Sequence, residues 1–102
     1  MGRRLELQTE LEELLGSRNV YFQPPETKKL EYPCIIYNRR SIDTTKADDL
    51  NYLLYDAYEV TVIYKHPDDS LPYKILGAFK YCKHDRHFTL DNLNHDTFNL
   101  YY

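Results

Sequence analysis

The first apolar pattern along the chain has helical spacing. Four leucines recur at i, i+4, i+7 and i+8, which is the spacing of one face of an amphipathic helix: Leu7, Leu11, Leu14 and Leu15. Gly16 follows them and suits the left-handed conformation in which helices commonly end. We therefore predict a helix over residues 4–15. Its opposite face carries glutamates that we expect to be solvated, with docking on a neighbouring subunit as the alternative: Glu6, Glu10, Glu12 and Glu13.

Two short stretches of β-branched and aromatic residues come next, and both predict strands. Residues 19–23 form the first, which ends at Pro24 because proline cannot donate to a strand ladder. Residues 34–39 form the second. The clearest strand pattern follows at residues 57–64, where large apolar residues alternate along the chain from Tyr58 to Tyr64. We place that strand at the centre of the sheet.

A second helix and a hairpin complete the pattern. Residues 66–70 have turn chemistry, and Asp69 or Ser70 can accept hydrogen bonds from the free amides of a helix with Pro72 in its first turn. Apolar residues at helical spacing extend that helix to Phe79. Residues 81–88 and 97–102 predict the last two strands, and the polar residues 90–96 predict a loop between them.

The order of these elements predicts the fold class. A helix, two or three strands, a second helix and two further strands indicate an α+β fold. We expect a mostly antiparallel sheet of four to five strands with both helices packed on one face. Residues 1–102 are predicted to form a single domain, and the polar residues 40–50 to form a flexible loop.

Composition narrows the possible functions. A core built from 102 residues is modest, so assembly with other subunits would stabilise the domain. The chain has 11 tyrosines and no tryptophan, and tyrosine suits half-buried strand faces and protein interfaces. A formal net charge of -3 disfavours binding to nucleic acid, which requires a basic face. No apolar run approaches the length of about 18 residues that a membrane span needs.

Several histidines, carboxylates and a cysteine near the C-terminus raise the possibility of a metal or acid–base site: Cys82, His84, Asp85, His87, Asp91, His95 and Asp96. Regular alternation along a strand, however, places His84 and His87 on opposite faces. We therefore expect a hydrogen-bonded loop, braced by Arg86 on one of the carboxylates. We assign no catalytic, cofactor-binding or metal-binding residue, expect no cofactor, and interpret Cys34 and Cys82 as reduced core residues in a protein that is not an enzyme.

Parts of the sequence resemble a family of tail-completion or tail-terminator proteins of long-tailed bacteriophages and prophages. Residues 19–25 and 85–89 carry this resemblance, together with residues 91–96 and 100–102. It implies a virion structural protein that forms a ring, expected to be a hexamer, at the head-proximal end of the tail tube. Such a ring terminates tail assembly and provides the surface for head–tail joining.

The resemblance also implies partners and a location. The partners are further copies of the chain, the tail tube protein and a head-completion or connector protein, and DNA passes through the ring without specific binding. The location is the virion tail, after assembly in the bacterial cytoplasm. A head-side connector or minor capsid component is the first alternative, and a small metal-dependent enzyme that uses the His and Asp cluster is the second. The interface hypothesis names nine residues: Asp43, Lys46, Asp48, Asp85, Arg86, His87, Asn92, Asn94 and His95.

Overall fold

The computed structural model describes residues 3–25, 28–41 and 57–102. Two helices and five strands lie in these ranges, so the predicted α+β class is confirmed. Neither helix has the length and apolar character that crossing a membrane requires. In chain order the elements are α1 (Arg3–Leu15), β1 (Val20–Phe22), β2 (Cys34–Ser41), β3 (Ala57–Tyr64), α2 (Leu71–Ala78), β4 (Cys82–Leu90) and β5 (Leu93–Tyr101).

The five strands form one sheet in the order β1-β2-β3-β5-β4. β1 pairs with β2 in parallel, and the other three pairings are antiparallel. β3 is the third of the five strands, so its predicted central position is confirmed. Because β4 and β5 are consecutive and adjacent, the predicted C-terminal hairpin is confirmed as well.

Both helices pack on the same face of the sheet. Leu7 and Leu11 of α1 and Ile75 of α2 are fully buried in one cluster with residues of β2, β3 and β5. On the sheet side the cluster contains Tyr37 and Phe98, which are also fully buried. The helical spacing of the leucines therefore predicted the correct buried face, since hydrophobic burial needs a continuous apolar stripe.

A polar network joins α1 to the first two strands. The Tyr37 hydroxyl donates to Oε1 of Gln8 at 2.6 Å and accepts from Nη1 of Arg4 at 3.1 Å. Nε2 of Gln8 donates to the Val20 carbonyl at 3.0 Å. Each polar group that the helix buries here has a partner, which is the condition for burying it at low cost.

The acidic face of α1 is only partly solvated. Glu6 and Glu13 are exposed, as predicted. Glu10 accepts a hydrogen bond from the hydroxyl of Tyr102, and Glu12 accepts one from Gln8. The helix ends at Gly16, whose φ is 82° and whose amide donates to the Glu12 carbonyl at 2.8 Å. Part of this face therefore holds Tyr102 against the helix.

The predicted loop over residues 90–96 is wrong. β4 and β5 are joined by a turn of two residues, Asp91 and Asn92, with φ values of 54° and 64°. Positive φ at both central positions is the property of a type I′ turn, whose twist matches that of the flanking strands. Asn94, His95 and Asp96 consequently belong to β5, where they make strand contacts.

The boundaries of β2 also differ from the prediction. We expected the strand to end at Arg39 and a loop to begin at residue 40, whereas β2 continues through Arg40 to Ser41. Nη1 of Arg40 donates to Oδ1 of Asn99 at 2.9 Å, which accounts for a charged residue at this end of the strand. The remainder of the predicted loop, with Asp43, Lys46 and Asp48, lies outside the described residues.

Two leucines of the hairpin provide a test of this packing. Leu100 is 1% exposed and Leu90 is 57% exposed. We expect Leu100→Ala to lower the free energy of unfolding by about 2–5 kcal/mol, because it leaves a cavity in the core. Leu90→Ala removes the same atoms from the surface and should change the free energy of unfolding by less than about 0.5 kcal/mol. Urea unfolding followed by circular dichroism measures both, and equal midpoints would contradict the assigned core.

Candidate functional site

A buried carboxylate is the centre of the candidate site. Asp96 of β5 is 4% exposed and points to the helix-covered face of the sheet. The Tyr64 hydroxyl donates to its Oδ2 at 2.5 Å. Its Oδ1 lies 2.9 Å from Nε2 of His84 and 3.0 Å from Nδ1 of His87. Groups from β3, β4 and β5 therefore meet at one side chain.

An extra residue in β4 brings the two histidines together. His84 is paired with Phe98 and Arg86 with Thr97, so Asp85 has no partner of its own and forms a β-bulge. His87 is paired with Asp96. Because of the bulge, side chains three positions apart share a face. The prediction that His84 and His87 lie on opposite faces is wrong for this reason.

Hydrogen bonding sets the charge of the cluster. Burial raises the pKa of Asp96, but the hydrogen bonds from Tyr64, His84 and His87 outweigh it, so the pKa lies below its usual value of 3.8. Burial and the contact with Asp96 raise the pKa of Tyr64, so its hydroxyl keeps its proton. Asp96 is consequently an ionised acceptor, and the ring nitrogens that face it are donors.

The cluster lies at one side of a cavity of about 380 Å³. α2 and the turn before it form the opposite wall, through Pro67, Asp69, Tyr73 and others. Asp69 also stabilises the start of α2, since its Oδ1 accepts from the Leu71 amide at 2.9 Å, as the sequence predicted. Tyr73 lines the cavity and is 78% exposed.

Sequence reasoning identified three of the four polar members of this cluster. His84, His87 and Asp96 lie together in the structure. Tyr64 also belongs to the cluster, but the sequence identified it only as a strand residue. The other candidates lie elsewhere: Cys82 packs beside the core, Asp85 accepts from Thr97 at 3.3 Å, Asp91 is in the turn and His95 stacks on Phe88. Only the pairing of β3 with β5 shows that Tyr64 is close to Asp96.

The sequence predicts that Arg86 contacts one of the carboxylates, whereas the structure places its guanidinium beside an aromatic ring. The Arg86 guanidinium lies 5.6 Å from the centre of the Phe88 ring, which stacks on His95 with ring centres 4.7 Å apart. This layered group lies on the face of the sheet opposite Asp96, because His95 and Asp96 are neighbours in β5. The groups that hold the Asp96 carboxylate are Tyr64, His84 and His87.

The interface candidates within the described residues lie on the C-terminal hairpin. Asp85, Arg86 and His87 are exposed residues of β4, and Asn92 is exposed in the turn. Asn94 has a structural contact, since its Nδ2 donates to the Lys65 carbonyl at 3.3 Å. This amide joins the start of β5 to the residue that follows β3.

The geometry of the described residues does not favour metal binding or thiol chemistry. Within the described ranges, no group of three or more His, Cys, Asp and Glu side chains has an arrangement that could hold a metal ion. Cys34 and Cys82 are free, as the sequence predicted. Burial raises the pKa of both thiols to about 11, which disfavours the thiolate form that a nucleophile requires.

No family model, curated protein sequence or solved structure matches the chain.

The lowered pKa of Asp96 predicts how stability depends on pH. Since the folded state holds the carboxylate ionised, the stabilisation is complete above the unfolded value of 3.8 and is lost as the pH falls towards the folded value. We expect Asp96→Asn, which cannot ionise, to be less stable than the wild type at pH 6. The difference should shrink as the pH is lowered from about 5 to about 2.5.

Urea midpoints measured at each pH test this expectation. Asp68→Asn is the control for loss of one negative charge, because Asp68 is exposed in the turn before α2. A difference between the wild type and Asp96→Asn that stayed constant down to the lowest pH would show that Asp96 does not carry this stabilisation.

Proposed function

We propose that the chain is a phage or prophage tail-completion protein, which caps the head-proximal end of the tail tube through protein contacts and not through catalysis. One observation carries this proposal. One of the stretches that resemble the tail-terminator family, residues 85–89, lies in β4, which is an exposed edge strand of the sheet. A sheet edge is a surface to which a neighbouring subunit can add a strand.

The edge strand is long and accessible. β4 has nine residues, and all of them after Cys82 are exposed. They include two large apolar side chains, Phe88 and Leu90, which are 37% and 57% exposed. The opposite edge of the sheet is β1, with three residues. Among the described strands, β4 therefore offers the longest backbone edge.

The turn determines which backbone groups face outwards. In a hairpin with a two-residue type I′ turn, the flanking residues Leu90 and Leu93 form a hydrogen-bonded pair. Antiparallel strands alternate such pairs with pairs that exchange no hydrogen bonds. The amide and carbonyl of Thr89, which is opposite Asn94, therefore point away from β5. They are available to a neighbouring chain.

In the proposed ring, the next copy of the chain would pair with the β4 edge. Further copies, the tail tube protein and a head-completion or connector protein are the proposed partners, and the virion tail is the proposed location. The net charge of -3 per chain supports this role, because a ring of such chains would not retain the DNA that passes through it.

A proline substitution tests the edge. Thr89→Pro removes an amide that points outwards and leaves the hydrogen bonds between β4 and β5 in place, so the domain should fold. We expect the variant to remain monomeric where the wild type forms rings on tail tubes. Mass photometry measures assembly with and without tubes, and electron microscopy measures tube length and head joining.

Thr89→Ala is the matched control, since it shortens the same side chain and keeps the amide. It should assemble like the wild type. Rings formed equally well by Thr89→Pro would exclude pairing through β4, and tubes of normal length that join heads without the protein would exclude the tail-completion role. Copurification with capsids that lack tails would instead support a head-side connector.

A further inference from the structure

The cavity beside Asp96 has a polar lining that consists mainly of hydrogen-bond acceptors. Nε2 of His84 and Nδ1 of His87 must carry protons, because they face an ionised carboxylate. In the neutral imidazole, the other nitrogen of each ring then has a lone pair. When the rings are neutral, Asp96 thus fixes the tautomers of both histidines, and Nδ1 of His84 and Nε2 of His87 are acceptors.

These histidines are accessible to a ligand. Their side chains are 39% and 48% exposed, whereas that of Asp96 is 6% exposed. The rings of Phe98 and His84 are perpendicular with centres 5.2 Å apart, and this contact helps to hold the orientation of His84. Two oriented imidazoles therefore border a cavity whose buried carboxylate is already bonded.

A second carboxylate adds negative charge to the cavity. Asp69 lines the opposite wall, and the Leu71 amide occupies one of its acceptor positions. Among the described residues, the lining contains no lysine or arginine. Because Asp96 is already bonded to Tyr64, His84 and His87, Asp69 is the carboxylate that can interact with a ligand, and its negative charge favours a ligand of positive charge.

The remaining walls are apolar and aromatic. Pro67, Pro72 and Leu76 border the cavity, together with the ring of Tyr73. Aromatic faces attract cations as well as apolar groups. The volume of about 380 Å³ is at the lower end of the range that holds small molecules, roughly 300–1,000 Å³.

We propose that this cavity binds a small organic cation: an amine, amidine or guanidine with a flat or apolar body. Its N–H groups would donate to the imidazole nitrogens and to Asp69, and its body would lie against Tyr73 and the prolines. The inference is independent of the assembly proposed above, because ligand binding in the cavity does not use the outward-facing backbone of β4.

Three small molecules of similar size test whether charge or shape determines binding in the cavity. Benzamidine is cationic, benzyl alcohol is neutral and benzoate is anionic, and each carries one benzene ring. In an NMR titration at pH 7.5, benzamidine should shift the amide signals of Tyr73, Leu76 and His87 saturably. We expect the other two probes to bind about tenfold more weakly or not at all.

Two neighbouring aspartates provide a matched pair of variants. Asp69→Asn keeps an oxygen for the Leu71 amide but removes the charge, so benzamidine should bind about two- to fivefold more weakly. Asp68→Asn removes the same charge from an exposed position outside the cavity and should leave binding unchanged. An equal loss in both variants would show non-specific attraction to an acidic protein and would overturn the proposal.

The relative affinities of the three probes at pH 7.5 show which sign of charge the cavity prefers. Tighter binding of benzoate than of benzamidine would overturn the proposal.

Discussion

The C-terminal half of the sheet depends on the burial of one charge. A carboxylate with no partners would be costly to bury, and Asp96 is buried with three donors that come from β3 and β4. Tyr64 reaches it from the central strand, and the two histidines reach it from the edge strand. The same contacts that make the burial possible also fix the ring orientation of both histidines. Stability and the chemistry of the cavity therefore have a common origin.

Hydrophobic periodicity predicted most of the fold because each element has one buried face. The leucines of α1 and the alternation in β3 identified their buried sides, and turn chemistry identified the start of α2. The C-terminal turn was missed for a physical reason. Asn94 and Asp96 resemble loop residues by type, but Asn94 donates to the Lys65 carbonyl and Asp96 accepts from Tyr64 within the sheet. Those contacts are distant in sequence and leave no local pattern.

The site was predicted less well than the fold. Regular alternation would place His84 and His87 on opposite faces of β4, but the unpaired residue Asp85 brings them to the same face. Nothing in the sequence marks Asp85 as that residue, because a bulge is defined by the strand opposite it. Tyr64 joins the site through the pairing of β3 with β5, at a separation of 32 residues from Asp96. Contacts that depend on the register between strands therefore cannot be predicted from the sequence alone.

The bulge also indicates where this strand tolerates a change in length. Since Asp85 is the extra residue, a chain without it would continue from His84 directly to Arg86 in regular alternation. His84 would still be opposite Phe98 and His87 opposite Asp96, so both imidazoles would keep their face. Loss of Lys83 would instead shift the preceding residues by one position and turn Cys82 away from the core. Among homologous chains, insertions and deletions in β4 would accordingly be concentrated at position 85.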